Sequence, residues 1–420
     1  MTAEEAISYL LEKRQSDFHP APDRMTRLME RLGDPQKKLR FVHVAGTNGK
    51  GSTSCLIASA LTAAGYRTGL YTSPHLSHFS ERIRVGDEPI PNEAIARLAD
   101  QVRRAEESLS VPVAAFDRMT AAAFLWFLEC GCEIVVLEVG LGGLLDATNV
   151  IDRAEVSVIT NIGLDHTEVL GAAVAQIAAQ KAGIVKPGCP VVLYPQTAEA
   201  EAAVRRACEE KKAPLYRADF SALRVLRREI DKTVFSWGNS EPITLGLAGE
   251  YQLKNAAAAL TAISVLRERG FSVSDAAVQA GFARAKWPGR FELLRRSPVF
   301  LLDGGHNPQC AEALCENLKT AFPEKSFVFL LGMMADKDVG AVLDILVPVM
   351  RAAVTVPVQN PRAMPAERLA ALLRKKGVLA EAAETLSLGA ARADALAAGE
   401  GVCAFGSLYL AGAVRSLFSL

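Results

Sequence analysis

The 420-residue sequence lacks the features that mark several large classes of protein. No uncharged apolar run reaches the roughly 18 residues of a membrane span, so we expect no membrane partner. Lys plus Arg and Asp plus Glu both number 47, so no overall charge attracts nucleic acid. No short internal repeat and no low-complexity tract is present. The sequence therefore predicts a soluble globular protein whose partners are small molecules.

Two further absences concern the cellular compartment. The eight cysteines lack the spacing of metal ligands, and only Cys130 and Cys132 lie two residues apart. Reduced, mostly buried thiols are typical of a cytoplasmic protein. The residues Thr2-Ala-Glu-Glu5 predict a capping box that opens an amphipathic helix over residues 2–14, rather than a secretion signal. We therefore expect a cytoplasmic location.

The stretch over residues 41–53 reads Phe-Val-His-Val-Ala-Gly-Thr-Asn-Gly-Lys-Gly-Ser-Thr. Its short apolar start predicts a buried strand over Phe41–Ala45. Glycines then surround Lys50, and apolar residues recur at helical spacing from Ser52 to about Gly65. A strand, a glycine loop with one lysine and a helix N-terminus form a cradle for phosphate groups, in which Lys50 reaches the outer phosphates and Ser52 can hold Mg²⁺.

The strict phosphate-loop pattern G-x-x-x-x-G-K-[ST] is absent here. Position 44 is Val, and Gly51 separates Lys50 from Ser52. The alternative interpretation is an ordinary glycine turn with a surface lysine. The strand and the helix on either side of the loop favour a nucleotide-phosphate site.

Polar residues follow three of the predicted strands. Ser73 ends the strand predicted from Gly69, Glu138 lies near the end of the strand over Ile134–Val139, and His166 follows the strand over Val156–Thr160. A carboxylate beside a phosphate loop is the expected partner of Mg²⁺, although a solvated, half-buried Glu is the alternative. A lone His is more often structural. Polar groups at neighbouring strand ends can nevertheless converge on one cation.

The rest of the first 290 residues alternates between helical and strand patterns, which predicts a mostly parallel sheet. Residues 17–22 predict a loop, and residues 213–248 predict a small antiparallel β patch attached to this domain. Further elements are a helix ending near Arg31, helices over 92–108, 119–129, 172–182, 199–212 and 255–269, and a strand over 190–194. Trp287-Pro-Gly-Arg290 predicts an interdomain hinge, so we expect domains of residues 1–290 and 291–420.

The alternation restarts beyond the hinge, which predicts a smaller, Rossmann-like α/β domain with no phosphate loop of its own. Its predicted strands cover 299–303, 327–331, 353–356 and 401–405, and its helices cover 308–321, 339–350, 365–376, 388–398 and 408–417. Asp303-Gly-Gly-His-Asn-Pro308 lies at the carboxyl end of the first strand, where ligands of such sheets bind.

These residues together resemble the folylpolyglutamate synthase/dihydrofolate synthase family, relatives of the Mur peptide ligases. The likeness is carried in order by residues 45–52, 72–76, 137–143, 145–149, 164–166, 181–184, 287–291, 303, 306–308 and 336–338. The joint order and spacing of these segments make the match specific. In this family a glycine after the phosphate-loop lysine is usual. The resemblance implies a Mur-ligase-like P-loop domain followed by the smaller C-terminal domain.

The resemblance also implies an ATP-dependent ligase that releases ADP and phosphate. Such an enzyme makes an amide bond between L-glutamate and either the pteroate carboxylate or the γ-carboxylate of a folate. A carboxylate is a poor acyl donor, so the γ-phosphoryl group of ATP is transferred first to give an acyl phosphate, which the glutamate amine attacks. The protein then has to position the reactants and neutralise crowded anions. Since one chain carries both halves of such a site, we expect a monomer.

Site residues follow from the same resemblance. The implied nucleotide contacts are Asn48, Gly49, Lys50, Gly51, Ser52, Asn255, Arg290, Asp303 and His306. The implied ligands of Mg²⁺ are Ser52, Ser73, Glu138 and His166. Lys50, His166 and Lys181 are the implied catalytic residues, and Lys181 matches the position that the family converts to a carbamate. A carbamate is an anion that can bind a second Mg²⁺, whereas an unmodified lysine would repel it.

The implied pocket for the acceptor contains Phe116, Asp117, Asp146 and Ala147. Asp117 stands where Glu often follows the Phe, and Leu144 stands where many members have Arg. Both departures concern the identity of the acceptor more than the reaction. For Phe116, simple core packing is the alternative.

Three other functions compete with this one. A Mur-type ligase of cell-wall synthesis would act on a nucleotide-sugar peptide, but the stretch before the phosphate loop is too short for the extra substrate domain common in those enzymes. A P-loop NTPase switch would couple hydrolysis to conformational change. A switch of this kind would leave the second ligand-facing domain without a function. A plain nucleotide-binding regulator is the third alternative, and it would need none of the metal-binding groups.

Overall fold

The structure, a computed structural model, describes residues 1–13 and 22–419. Contacts divide the chain into two compact units. The first unit consists of Met1–Arg224, Ser236–Ile243 and Lys254–Ala285, and the second consists of Val225–Phe235, Thr244–Leu253 and Lys286–Leu420. The predicted loop over residues 17–22 lies outside the described residues, apart from residue 22.

Helices and strands alternate along the first 285 residues as the sequence predicts. The helices are α1 (Ala3–Leu11), α2 (Pro22–Arg31), α3 (Lys50–Ala63), α4 (Asn92–Glu107), α5 (Ala115–Glu129), α6 (Thr167–Leu170), α7 (Val174–Ala182), α8 (Ala198–Glu210), α9 (Glu250–Glu268) and α10 (Asp275–Arg284). The strands are β1 (Phe41–Ala45), β2 (Thr68–Tyr71), β3 (Ile83–Val85), β4 (Glu88–Pro89), β5 (Ile134–Glu138), β6 (Val156–Ile159), β7 (Val191–Leu193), β8 (Leu215–Arg217), β9 (Leu223–Arg228), β10 (Thr233–Trp237) and β11 (Ile243–Leu245).

The first unit is built on an eight-stranded sheet with the order β4-β3-β2-β5-β1-β6-β7-β8. The six strands from β2 to β8 in this order pair in parallel, and β3 and β4 add an antiparallel edge. The central strand β1 is buried at all five positions. Phe41 packs edge to face against Phe124 of α5, at 5.5 Å between ring centroids. This sheet confirms the predicted mostly parallel fold.

The N-terminal helix is attached to this unit by a buried arginine. The capping box predicted at Thr2 and Glu5 is present. Arg118 of α5 is fully buried, lies over the ring of Tyr9 at 4.9 Å, and donates a hydrogen bond to the Tyr9 carbonyl oxygen at 2.6 Å. Its Nε lies 3.2 Å from a carboxylate oxygen of Glu106, so the buried charge is paired.

A separate three-stranded sheet has the order β11-β10-β9. Its strands lie within residues 213–248, where the sequence predicts a small antiparallel β patch. In the second unit, Arg228 pairs with Glu250 and Arg296 pairs with Asp231. Both ion pairs join the segment Val225–Phe235 to other residues of the second unit. The predicted domain limits of 1–290 and 291–420 stay predictions.

The second unit contains a six-stranded sheet with the order β12-β13-β17-β14-β15-β16. Its strands are β12 (Glu292–Arg296), β13 (Val299–Asp303), β14 (Phe327–Leu331), β15 (Met350–Thr355), β16 (Ala380–Ala382) and β17 (Gly401–Phe405). Its helices are α11 (Pro308–Ala321), α12 (Val339–Leu346), α13 (Ala366–Lys375), α14 (Leu386–Ala397) and α15 (Leu408–Leu417). All pairs are parallel except that of β12 with β13. This arrangement confirms the predicted second α/β domain.

Several element boundaries differ from the predicted ones. The helix expected from Met119 begins at Ala115, because Asp117 accepts a hydrogen bond from the amide of Ala114 in the first turn. The helix expected to reach Met350 ends at Leu346, since Pro348 cannot continue it, and Met350 opens β15. The elements β3, β4, β8, β12, β16, α6 and α10 were not predicted.

Two of the predicted absences can be checked in the structure. Across residues 1–13 and 22–419, none of the helices combines the length and the apolar character that a membrane span requires. All eight cysteines lie in the described ranges and are free, and six of them are buried.

Candidate active site

The order of four neighbouring strands collects the predicted site residues at one edge of the sheet. The strands β2, β5, β1 and β6 lie side by side and are parallel. Ser73 follows β2, Glu138 ends β5, the phosphate loop follows β1, and His166 follows β6. Because parallel strands present their carboxyl ends at the same edge, the four segments emerge together.

The phosphate loop has a backbone that requires glycine at two positions. Gly49 is the N-cap of α3 with φ of +87°, and a Cβ there would lie 2.4 Å from Oδ1 of Asn255. Gly46 has φ of +154°, and a Cβ there would lie 1.8 Å from Oγ1 of Thr160. A side chain at either position would therefore clash with a neighbouring side chain, Asn255 or Thr160. The predicted nucleotide contact Asn255 lies directly against it.

Thr47 joins the phosphate loop to the loop that carries His166. Its backbone amide donates a hydrogen bond to the carbonyl oxygen of Asn161 at 2.7 Å. Its hydroxyl oxygen donates to the carbonyl oxygen of Gly163 and accepts from the Gly163 amide, both at 3.1 Å. The two loops therefore hold one conformation relative to each other.

A residue that the sequence analysis did not single out supports the same loop. Gln196, after β7, donates from Nε2 to the carbonyl oxygen of Thr160 at 2.8 Å and accepts at Oε1 from the amide of Ile162 at 3.0 Å. Gln196 thus pairs two backbone groups just beyond β6, the Thr160 carbonyl and the Ile162 amide. Backbone groups in a loop have no strand partner and need such side-chain partners. No sequence pattern distinguishes this glutamine from a surface one.

Two lysines lie beside the phosphate loop. Nζ of Lys50 donates to the carbonyl oxygen of Thr47 at 3.2 Å, and Nζ of Lys181 donates to the carbonyl oxygen of Gly46 at 2.8 Å. Lys181 is buried, with 3% of its surface exposed. Burial, followed by the charge of Lys50, lowers the pKa of Lys181 to about 7, although Asp165 and Asp146 oppose the shift. A large share of Lys181 is therefore a neutral amine at neutral pH.

The predicted metal ligands surround the same loop. Glu138 is buried, and its Oε2 accepts a hydrogen bond from the amide of Ser73 at 3.1 Å. Ser52 is buried in the first turn of α3. His166 is the N-cap of α6 with φ of 50°, and its half-exposed ring places Nε2 at 3.9 Å from Oδ1 of Asp165.

This donor set can be compared with what Mg²⁺ requires. Within the described residues, no three or more His, Cys, Asp or Glu side chains gather into a metal-binding group. Mg²⁺ usually takes one or two carboxylates and completes its shell with water and substrate phosphates. One buried carboxylate, Glu138, beside a phosphate loop with a serine hydroxyl fits that description. The residues present therefore suit a magnesium ion that arrives with a nucleotide.

The predicted acceptor residues lie next to this edge. Phe116 is half-buried and packs against Tyr71, at 5.8 Å between ring centroids. A Cβ at Gly140 would lie 2.5 Å from the Phe116 ring, so the loop after β5 approaches the ring with bare backbone. Asp146 in that loop is half-buried, and Ala147 is 7% exposed. An aromatic ring and a carboxylate therefore flank the same loop.

Asp117 has a different environment from Asp146. Its Oδ2 accepts hydrogen bonds from Nε of Arg24 and, at 3.0 Å, from the amide of Ala114. The side chain is buried, with 4% of the residue exposed. Asp117 thus anchors α2 to the start of α5. Its predicted contact with the acceptor stays a prediction.

In the second unit, Asp303 organises the loop after β13. Its Oδ2 accepts from the hydroxyl of Tyr251 and from the amide of Phe291, both at 3.0 Å, and its Oδ1 accepts from the amide of Gly305 at 2.7 Å. Burial raises the pKa of Asp303, against the opposing effects of Arg290 and of these hydrogen bonds. Asp303 therefore fixes the backbone on both sides of itself.

The other predicted residues of that unit adjoin the same loop. Nη1 of Arg290 lies 3.4 Å from the carbonyl oxygen of Gly289, and Nδ1 of His306 lies 3.2 Å from the carbonyl oxygen of Gly304. Asn307 caps α11 by accepting from the amide of Cys310 at 2.9 Å. The structure thus groups Arg290, Asp303 and His306 in one loop cluster. Their contact with a nucleotide stays a prediction.

Family comparisons agree with this geometry. The family described as Mur ligase middle domain matches residues 44–263, and the Mur ligase glutamate ligase domain matches residues 289–408. The dihydrofolate synthase/folylpolyglutamate synthase of Bacillus subtilis is 37% identical over 346 residues, which cover 80% of each chain. The folylpolyglutamate synthase of Lacticaseibacillus casei is 35% identical over 418 residues, which cover 93% of each chain.

Solved structures give the same result. A Mycobacterium tuberculosis folylpolyglutamate synthase with ADP and AMPPCP superposes with a TM-score of 0.90 at 33% identity, covering 100% of this chain and 98% of that one. An Escherichia coli FolC structure with DHPP and ADP has a TM-score of 0.87 at 32% identity, with the same coverage. The chain therefore belongs to the folylpolyglutamate synthase/dihydrofolate synthase family of the Mur ligase superfamily, and it is an ADP-forming ligase.

Proposed function

We propose that the enzyme joins L-glutamate to the carboxylate of dihydropteroate, to the γ-carboxylate of a folate, or to both, with release of ADP and phosphate. The observation that carries this proposal is the arrangement at the sheet edge. There the phosphate loop after β1, with Lys181 of α7 beside it, adjoins the loop after β5, which contains Asp146 and lies against Phe116 of α5. A nucleotide at the first loop and a pterin at the second are held by parallel, neighbouring strands. This geometry supports transfer of a phosphoryl group between them.

The reaction has two steps. A carboxylate oxygen of the acceptor attacks the γ-phosphorus of ATP, the bond to the β,γ-bridging oxygen breaks, and ADP leaves. The amine of glutamate then attacks the carbonyl carbon of the acyl phosphate, phosphate leaves, and the nitrogen loses a proton. Lys50 neutralises the outer phosphates during the first step, and the backbone amides of the phosphate loop orient them.

Ser52, Ser73, Glu138 and His166 are the residues that would hold Mg²⁺. A bound Mg²⁺ supplies positive charge against the phosphates. Ser73 and Glu138 are already joined by a hydrogen bond, so the carboxylate has a defined orientation before any ligand arrives.

Lys181 is the residue that we assign to carbamylation. A neutral amine adds CO₂ to form a carbamate and a proton, and the lowered pKa of Lys181 supplies the neutral amine. The product carries a carboxylate beside the phosphate loop, which would suit a second Mg²⁺. Exposure of the protein to ¹³C-bicarbonate should give a carbamate carbon resonance that is missing from Lys181→Met. An identical spectrum for both proteins would contradict this assignment.

The nucleotide contacts of Asn48, Gly51, Asn255, Arg290, Asp303 and His306 belong to the same proposal. So do a monomeric state and a cytoplasmic location. The contact of Asn255 with the nucleotide is supported by its position against Gly49.

Size-exclusion chromatography with light scattering tests the monomeric state, and a dimer at micromolar concentration would contradict it.

Release of ADP tests the reaction directly. The expected result is that ADP forms with ATP, glutamate and either dihydropteroate or a folate together, and that it fails to form when glutamate or the acceptor is omitted. ADP release without either substrate would instead favour the P-loop switch. Activity with a nucleotide-sugar peptide in place of the pterin would favour the Mur-type ligase. Comparison of dihydropteroate with mono- and diglutamyl folates identifies the acceptor.

A magnesium titration tests His166. His166→Ala should need a higher Mg²⁺ concentration for half-maximal ADP release, because one ligand is lost, while its folded structure persists. Val169→Ala is a matched control, since Val169 lies in the same short helix and is 69% exposed. An unchanged titration for His166→Ala would contradict the metal role.

A further inference from the structure

A chain of buried hydrogen bonds runs from the centre of the sheet to Asp146. His43 in the middle of β1 is fully buried, and its Nε2 lies 2.9 Å from the hydroxyl oxygen of Thr148. The same hydroxyl lies 2.6 Å from Oδ1 of Asp146. Thr148 is itself fully buried. The three side chains therefore form a continuous line of polar contacts within an apolar surround.

The direction of these hydrogen bonds follows from the donors available. Oδ1 of Asp146 also accepts from the amide of Thr148 at 3.0 Å, so this oxygen acts as an acceptor. The single hydroxyl proton of Thr148 is then donated to Oδ1. The hydroxyl oxygen in turn accepts a proton from Nε2 of His43. Burial, followed by the charge of Lys186, lowers the pKa of His43 to about 3, so the ring is neutral and carries one N–H.

The other ring nitrogen of His43 supports this assignment. Nδ1 is buried, and it has no hydrogen-bond partner among the described residues. A buried N–H without an acceptor is rarer than an under-satisfied acceptor. The proton therefore belongs on Nε2, where the Thr148 hydroxyl accepts it. A polar ring buried at this cost needs a reason that packing does not supply.

Asp146 is held from its other side as well. Its Oδ2 accepts from the amide of Leu141 at 2.9 Å. The carboxylate thus receives donors at both oxygens and keeps one orientation, although it is only half-buried. A carboxylate of fixed direction in this loop can select a ligand that presents paired N–H donors, as a pterin ring does.

We infer that His43 and Thr148 are positioning residues that fix the Asp146 carboxylate for recognition of the pterin ring of the acceptor. This inference rests on the proposed function, because it takes a pterin-bearing acceptor as the ligand of Asp146. Neither residue touches that ligand. His43 acts through Thr148, and Thr148 acts through Asp146.

The test uses the full-length enzyme and dihydropteroate as the probe. Thr148→Val keeps the shape of the side chain and the backbone amide but removes the hydroxyl. It should raise the Kd and the KM for dihydropteroate about tenfold, as expected for loss of one hydrogen bond to a carboxylate, and leave the KM for ATP within about twofold of the wild-type value. Thr148→Ser retains a hydroxyl and should restore most of the affinity.

A second pair of variants tests the histidine, and it also serves if Thr148→Val does not fold. The amide nitrogen of Gln can reach the position of Nε2, so His43→Gln should bind dihydropteroate more tightly than His43→Leu. Thr68→Val is the matched control. It removes a buried hydroxyl at the opposite end of the sheet, where the acceptor is the carbonyl oxygen of Tyr66, and should leave binding unchanged.

A double-mutant cycle separates positioning from general damage. In an Asp146→Asn background, Thr148→Val should weaken dihydropteroate binding by less than about twofold, because the carboxylate that it orients is gone. Full additivity, an equal rise in the KM for ATP, or wild-type affinity of Thr148→Val would overturn the inference and leave the proposed function intact. A wild-type enzyme that binds neither dihydropteroate nor a folate would overturn both; if it binds only a folate, the same affinities are measured with that folate as the probe.

Discussion

Nζ of Lys181 donates a hydrogen bond to the carbonyl oxygen of Gly46, at 2.8 Å, from a site that is almost completely buried. Gly46 begins the phosphate loop, and Lys181 lies near the end of α7, so the contact joins a helix of the parallel sheet to its nucleotide site. The lysine is close enough to Lys50 for the two charges to repel each other. This repulsion adds to burial in lowering the pKa of Lys181.

The pH dependence of stability tests this burial. The pKa of Lys181 is about 7 in the folded state and 10.5 in a model peptide. Below pH 7 both states are protonated, and folding bears the full cost of burying the charge. Between pH 7 and 10.5 the unfolded state binds more protons, so the free energy of unfolding rises with pH, by at most about 1.4 kcal/mol per unit.

Lys181→Met lacks this titration. In bicarbonate-free buffer, urea unfolding at pH 7, 8 and 9 should show the wild-type protein gaining stability relative to Lys181→Met as the pH rises. Parallel curves for the two proteins would show that the amine is not protonated differently in the folded and unfolded states.

Loss of Lys50 should remove charge neutralisation from the phosphate site. Lys50→Ala is expected to lower the rate of ADP release about 100- to 1000-fold, as for removal of one stabilising donor in other enzymes. Circular dichroism and the thermal midpoint should stay close to those of the wild type. Lys37→Ala is the control, because that side chain is 54% exposed and forms only a surface ion pair. Near-normal ligation by Lys50→Ala would refute the assignment.

Substitution of Gly49, the N-cap of α3, should weaken nucleotide binding, and Gly65 provides a matched control. Gly49 and Gly65 have similar φ angles of +87° and +94°, so alanine at either position costs roughly 1–2 kcal/mol in backbone strain. Only at Gly49 would the new Cβ meet another residue, Asn255. Calorimetric titration with ADP should therefore show at least about tenfold weaker binding for Gly49→Ala and little change for Gly65→Ala. Equal affinities would mean that the loop tolerates a side chain.

Asp303 provides a test in the second unit. Asp303→Asn replaces one acceptor oxygen by an amide nitrogen, so at least one backbone N–H of Phe291 or Gly305 loses its partner. The free energy of unfolding should fall by about 1–3 kcal/mol. Tyr251→Phe removes a single donor and leaves the carboxylate with the others, and it should cost about 1 kcal/mol. If the two variants lose the same stability in urea unfolding, Asp303 does not organise the loop.

Some of the site was predictable because the signal is local. Glycines around a lysine between a strand and a helix indicate a phosphate loop, and the loop has that geometry. A glutamate at the end of an apolar strand indicates a ligand position, and Glu138 ends β5. These inferences need only neighbours in sequence, because backbone conformation and strand polarity are set over a few residues.

Other features depend on residues that are distant in sequence. The family resemblance implies an acceptor contact for Asp117, and only the folded structure shows that its carboxylate also contacts Arg24 and the amide of Ala114. The polar His43 in an apolar strand was a visible signal, but its link to Asp146 through Thr148 requires the folded sheet. Helix α10 and the edge strands β12 and β16 carry weak periodicity and form where the rest of the unit packs against them.

By itself the sequence determined the alternation of strands and helices, the phosphate loop and the order of its motifs, since these depend on local propensity and spacing. Only the tertiary structure decided which strands are neighbours, which carboxylate is buried and which is half-buried, and that burial lowers the pKa of Lys181. Those properties come from burial and from contacts between distant segments, and the free energy of a buried charge depends on what surrounds it rather than on its place in the chain.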